Sequence, residues 1–259
     1  MSESSSPKSF FDKSRRPYLL RKLHSLSGVV PVGGFLVFHL WENSRALQGQ
    51  EQFDEMVSGI NHMPYLWAME WGLILLPLAF HALYGVKLAL ESTPNVRSYT
   101  FTRNWMYTLQ RVTGILAFLF IGYHLYELWG KKVAGKLAPD QFYTTLCGDM
   151  SWAMGGVPLI ALVYILGIAA CVFHFANGLW GFCFSWGITV SRRSQQLAAT
   201  AFGVLGLLIF FLGANTAIYF ATGARVALPG SLVGASPAQD GARTCADLAA
   251  IPARASAAK

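Results

Sequence analysis

The chain has 259 residues, 54% of them apolar and only 13% charged, with a mean hydropathy of +0.41. A soluble domain carries about 25% charged residues, so this composition excludes a water-soluble globular protein and implies a surface that largely faces lipid. The formal charge of +7 is too small, in so apolar a chain, to point to nucleic acid.

Residues 1–22 hold Lys8, Lys13, Arg15, Arg16, Arg21 and Lys22 and no apolar run of the signal-peptide type. They read as a basic tail, and the first hydrophobic run reads as a retained membrane anchor. A helix needs about 20 mostly apolar residues to cross a bilayer, and five stretches qualify, at roughly 23–42, 66–90, 105–129, 156–184 and 197–221. The first contains Pro31, the second Pro77, and Pro158 stands at the start of the fourth; membrane helices tolerate proline. The second also carries Glu70 and Lys87 near its opposite ends. Residues 222–259 are rich in Ala, Gly, Ser and Pro and read as a disordered tail. With five spans the two chain ends lie on opposite sides. Twelve Lys and Arg fall on the N-terminal side and eight on the other, which places the N-terminus in the cytoplasm and the C-terminus outside. Within the first outer loop, Asp54, Glu55 and His62 read as loop surface.

Histidine carries the chemistry. Six are present: His24, His39, His62, His81, His124 and His174. Four of them, His39, His81, His124 and His174, lie one in each of the first four spans, where an ionisable group is costly and marks function by default. Depth sorts them. His39 is 15 residues beyond His24, about 22 Å along the helix at 1.5 Å per residue. His124 is 13 residues beyond Arg111, about 20 Å. Both therefore approach the outer face. His81 and His174 lie on spans that run the other way and approach the cytoplasm. Two histidines facing across a bundle ligate one haem iron axially, so the pairs His81/His174 and His39/His124 predict two haems stacked across the membrane. Filled axial positions suit electron transfer.

Local sequence echoes that pairing. Phe80-His81-Ala82-Leu83-Tyr84-Gly85 parallels Phe173-His174-Phe175-Ala176-Asn177-Gly178, and Ser27-Gly28 before His39 parallels Thr113-Gly114 before His124. Glycine four residues after a histidine shares its helix face and gives a flat macrocycle room; the alternative is an ordinary helix-packing glycine.

Long motifs carry a family resemblance. They are the run from Arg21 to Gly33, Arg103-Asn104-Trp105-Met106 with Leu109-Gln110-Arg111-Val112-Thr113-Gly114, Phe173-His174-Phe175-Ala176-Asn177-Gly178-Leu179-Trp180, and Trp186-Gly187-Ile188-Thr189-Val190. Over about residues 15–220 the chain resembles the cytochrome b membrane-anchor subunit of bacterial succinate:menaquinone oxidoreductase (complex II), of the five-helix, two-haem type. The resemblance implies an all-α membrane protein in the bacterial inner membrane, four of whose five transmembrane helices form the haem-binding bundle. It implies that His81 and His174 hold the cytoplasmic-side haem b, and His39 and His124 the outer one. It further implies flavoprotein and iron–sulfur partner subunits, with menaquinone as the electron acceptor near the outer haem. Succinate chemistry then lies outside this chain. His24 matches a position that is not an axial ligand.

Other groups keep alternatives. Arg21, Lys87 and Arg111 are candidates for haem propionates or simply positive-inside anchors. Glu70, beside Trp67 and Trp71, is the leading quinone and proton candidate, with Glu42 and Glu127 behind it; each is alternatively an interfacial acid. Cys147 and Cys245 fall on the outer side, where a disulfide is possible, while Cys171 and Cys183 read as packing residues. No Cys-x-x-Cys pair occurs. The alternatives in function are a fumarate reductase subunit, the cytochrome b of another dehydrogenase or a hydrogenase, and, from another class, a haem-free transporter or structural anchor.

Overall fold

The apolar runs do form five long helices. The computed structural model describes residues 16–226 and Cys245. Its spans are Arg16–Gln48, Leu66–Leu90, Thr102–Val133, Leu159–Ser185 and Arg192–Thr222, each long and apolar enough to cross a membrane, and they are called spans 1 to 5 below. No β-strand occurs among the described residues. Leu76, Leu83, Leu166, Leu207 and Leu208 are exposed on the bundle exterior, as lipid-facing side chains are. Spans 1 and 3 run further than their apolar cores: residues 16–22, assigned to the basic tail from sequence, already belong to the first helix. The expected tails at residues 1–15 and beyond 226 lie outside the described residues, Cys245 apart.

Three π-helical stretches interrupt the α-helices, at Gly28–Gly33, Met69–Leu75 and Leu125–Gly130. The first encloses Pro31 and the second directly precedes the segment that opens with Pro77. Proline lacks an N–H and crowds the carbonyl four residues back, and a widened turn relieves both problems. Such turns gather at functional sites. Glu70 sits inside the second, and the third starts directly after His124.

Span 5 packs along span 4 through glycine: a Cβ on Gly206 would come within 2.9 Å of the Ala176 Cβ. Small residues of this kind let membrane helices approach. Span 2 contributes no buried residue.

The tightest core lies at the end of the bundle that carries the end of span 5. Two short helices, Gln50–Asn61 and Phe142–Ser151, fold over that end. Phe53, Tyr143, Cys147, Tyr219 and Phe220 are all at most 2% exposed there. The Tyr143 and Tyr219 hydroxyls pair at 3.1 Å, and Cys147 is disulfide-bonded to Cys245. The sequence expectation of a loop around Asp54 and Glu55 is thus corrected. Both lie on the Gln50–Asn61 helix, with His62 as its C-cap, and Asp54 accepts a hydrogen bond from Gln50 at 3.1 Å. Phe53 and Met56 anchor that helix in the core, while Glu51, Glu55 and Ser58 stay exposed.

Candidate haem and quinone site

A cavity of about 1480 Å³ runs through the bundle, larger than the ~300–1,000 Å³ of a site for one small ligand. All four membrane histidines line it, together with His24, Gln110, Arg103 and Arg111 toward the N-terminal end and Glu70, Trp129 and Lys132 toward the other. Phe53, Leu146 and Phe220 of the cap lie over its far end.

The structure brings the histidines together in the pairs read from depth. The His81 and His174 rings face each other with centroids 6.0 Å apart and planes at 84°. The His39 and His124 centroids are 5.6 Å apart at 76°. Two imidazole nitrogens sharing one metal ion, each at about 2.0–2.1 Å, stand about 4 Å apart, which puts the ring centres about 6 Å apart. The His81/His174 pair comes close to that spacing and the His39/His124 pair lies somewhat inside it.

Outer partners set which nitrogen is free. His81 donates from Nδ1 to the His24 carbonyl at 2.9 Å, and His174 from Nδ1 to the Gln110 carbonyl at 3.0 Å. A carbonyl only accepts, so Nδ1 carries the proton and Nε2 keeps its lone pair, which in His174 lies 3.4 Å from the Gln110 amide nitrogen. In the second pair the His124 Nδ1 lies 3.3 Å from the Tyr164 hydroxyl, and the Asn43 amide lies 3.3 Å from the His39 Nδ1 while donating to the His39 carbonyl at 2.8 Å. Gln110 also donates to the His174 carbonyl at 3.0 Å and accepts from Asn177 at 2.6 Å. Gln110, Asn177, Tyr164 and Asn43 escaped the sequence reading as functional residues. Gln110 and Asn177 stood within the quoted motifs, but no sequence pattern marked Tyr164.

The candidate cations separate. Arg111 lines the cavity, its guanidinium carbon 3.1 Å from the Tyr107 ring centroid and its Nε buried without a partner. Arg103, not singled out from sequence, lines it too and bonds Gln195. Arg21 and Lys87 are exposed and are not among the lining residues; Lys87 pairs with Glu91 at 3.6 Å. Of the acids, Glu70 reaches the cavity and holds Lys132 at 2.8 Å and the Trp129 indole N–H at 3.2 Å. Its hydrogen-bonding tryptophan is therefore Trp129 of span 3, against which Trp71 stacks edge-on at 5.2 Å. Glu42 also lines the cavity, whereas Glu127 pairs with Lys131 away from it.

Two comparisons bear on this arrangement. The profile of the succinate dehydrogenase/fumarate reductase transmembrane subunit matches residues 18–101 and 93–214. The chain belongs to that family. It is also 35% identical over 205 residues to the succinate dehydrogenase cytochrome b558 subunit of Bacillus subtilis (strain 168), an alignment covering 79% of this chain and 98% of that protein. Both matches span the membrane helices. The succinate dehydrogenase/fumarate reductase membrane subunit therefore carries its four span histidines as two facing pairs along one cavity. Of the disulfide pair, Cys147 lies within the residues the profile matches and Cys245 lies C-terminal to them.

Proposed function

We propose that this membrane subunit is a di-haem cytochrome b that passes electrons from an iron–sulfur partner to menaquinone. The observation that carries the reading is the pair of imidazole pairs, each near the spacing of a shared iron, at two depths of one cavity. The donor chemistry fits haem b. Among the described residues no three His, Cys, Asp or Glu side chains are placed to hold a bare metal ion, which needs about three or four protein ligands. A macrocycle brings four nitrogens of its own and needs only two from the protein. Haem bound at the two pairs would supply one-electron carriers that bridge the bilayer.

The chain's own groups do the rest. His81 and His174 would hold the haem nearer the N-terminus, and His39 and His124 the other. Arg111 and Arg103 offer donors for propionates at the N-terminal end. At the far end Glu70, held between Lys132 and Trp129, offers a carboxylate oxygen that takes a proton from water and passes it to a quinone oxygen. Phe53, Leu146 and Phe220 of the cap line that end of the cavity. The N-terminus faces the cytoplasm, supported by the excess of Lys and Arg on that side and by a disulfide on the opposite side, where an oxidising compartment maintains it. A flavoprotein and an iron–sulfur protein complete the complex on the cytoplasmic face.

Haem stoichiometry of the purified subunit by optical spectrum tests this, with wild type beside His81→Ala and His124→Ala. Two b-type haems, with a different one lost in each variant, is the expected result. A colourless protein from haem-sufficient cells would refute it.

A further inference from the structure

Four glycines echo one another along spans 1 to 4, each four residues after a site residue: Gly28 after His24, Gly85 after His81, Gly114 after Gln110 and Gly178 after His174. Each of these glycines faces a side chain of a neighbouring helix. A Cβ on Gly28 would stand 2.2 Å from Cε1 and 2.6 Å from Nδ1 of His81. On Gly114 it would stand 2.9 Å from Cε1 and 3.2 Å from Nδ1 of His174. The reverse contacts match: Gly85 faces the His24 Nε2 at 3.0 Å, and Gly178 faces the Gln110 Nε2 at 3.4 Å.

The geometry has one cause. The Cα–Cβ bond of a helical residue leans toward the N-terminus, so a side chain at n+4 hangs over the carbonyl at n. The imidazole of a neighbouring helix reaches that carbonyl only where n+4 has no side chain. His81 reaches the His24 carbonyl over Gly28, and His174 reaches the Gln110 carbonyl over Gly114. The helix pairs 1/2 and 3/4 thus repeat one device, in which positions 24 and 110 are equivalent although one is histidine and the other glutamine.

We infer that each carbonyl and its glycine form a two-point socket that holds one N-terminal-side histidine by Nδ1 and turns its Nε2 into the cavity. Gly28, Gly114 and the backbone of His24 and Gln110 are positioning groups for His81 and His174, and His24 acts as a socket wall rather than as a ligand. The inference rests on the haem reading above. His39 and His124 have no such socket; their ring nitrogens meet the side chains of Asn43 and Tyr164.

The test substitutes Gly28→Ala and Gly114→Ala in the full-length subunit. Gly122→Ala and Gly203→Ala serve as controls, because nothing lies within 4 Å of a Cβ at either position. Haem content, the low-spin EPR signals and the midpoint potential of each haem are read. In both socket variants the haem missing from His81→Ala is expected to be lost, taking stoichiometry from two to one, or to shift in EPR signal and potential. The haem missing from His124→Ala keeps its wild-type values and shows that the chain has folded; both controls retain two haems. The socket is overturned if both socket variants keep both haems with unaltered signals, or if both lose the two haems together. A wild type without haem would instead refute the haem reading itself, a result visible before any glycine is changed.

Discussion

Tyr164→Phe removes a single hydrogen-bonding oxygen from one side of the cavity. Tyr164 is 7% exposed and packs edge-on against Phe120 at 5.3 Å, so the phenylalanine ring fits the same space. What is lost is the contact between the hydroxyl and the His124 Nδ1 at 3.3 Å. If the proposed haem takes Nε2, Nδ1 must carry the proton and donate. Donation makes the imidazole a stronger electron donor and favours ferric iron. A neutral hydrogen bond contributes about 0.5–1.5 kcal/mol net, and the long distance favours the lower half of that range. A one-electron couple moves about 59 mV per tenfold, or per ~1.4 kcal/mol. The potential of the haem at His39/His124 should therefore rise by roughly 20–40 mV. The haem at His81/His174 should not move, because its ligands bond to backbone carbonyls. An optically monitored redox titration of wild type and variant resolves the two. A fall in potential, or an equal shift in both haems, would refute this assignment of the proton to His124 Nδ1.

Further outcomes follow from the far end of the cavity and its cap. Glu70→Gln keeps the shape of the Lys132 and Trp129 site but removes the proton carrier, so quinone reduction by the assembled complex should fall about 10²–10⁴-fold while haem spectra stay unchanged, as steady-state assays would show. Cys245→Ser opens a link that spans 98 residues and should lower stability by at most about 4–5 kcal/mol, read as a lower unfolding temperature; Cys147, buried in the fold, should react with a maleimide under denaturing conditions only in that variant or after reduction. Burial pushes the Asp54 carboxyl above the ordinary aspartate range, against the lowering effect of the Gln50 hydrogen bond. Because the folded form holds the proton more tightly, cap stability should fall as pH rises from the ordinary aspartate pKa through the raised one. Hydrogen exchange in the Gln50–Asn61 helix should show that slope, and Asp54→Asn should flatten it.

The spans and the pairing of the histidines were legible because both depend on rise along a helix, which sequence position measures directly. His39 and His124 share a depth whatever packs around them. The cap was not legible: Gln50–Asn61 mixes Phe53 and Met56 with acids and glutamines, and its partners Tyr143 and Phe220 lie far along the chain. Tyr164 was missed for a related reason, since its hydroxyl gains meaning only from a side-by-side contact with span 3. The glycines were seen, but the side chains they face were not. Spacing places Gly28 on a helix face, yet only the angle between two helices decides that His81 comes to rest on it. For Glu70, sequence proximity suggested Trp67 and Trp71, whereas the hydrogen bond comes from Trp129, 59 residues away.

The disulfide also has a place in time. Joining Cys147 to Cys245 closes a covalent ring that contains spans 4 and 5. Residue 245 follows every span, so a ribosome delivers it only after all five helices have been handed to the membrane. The ring can therefore close only after spans 4 and 5 have both been made, and from then on it ties the entry of span 4 to the exit of span 5.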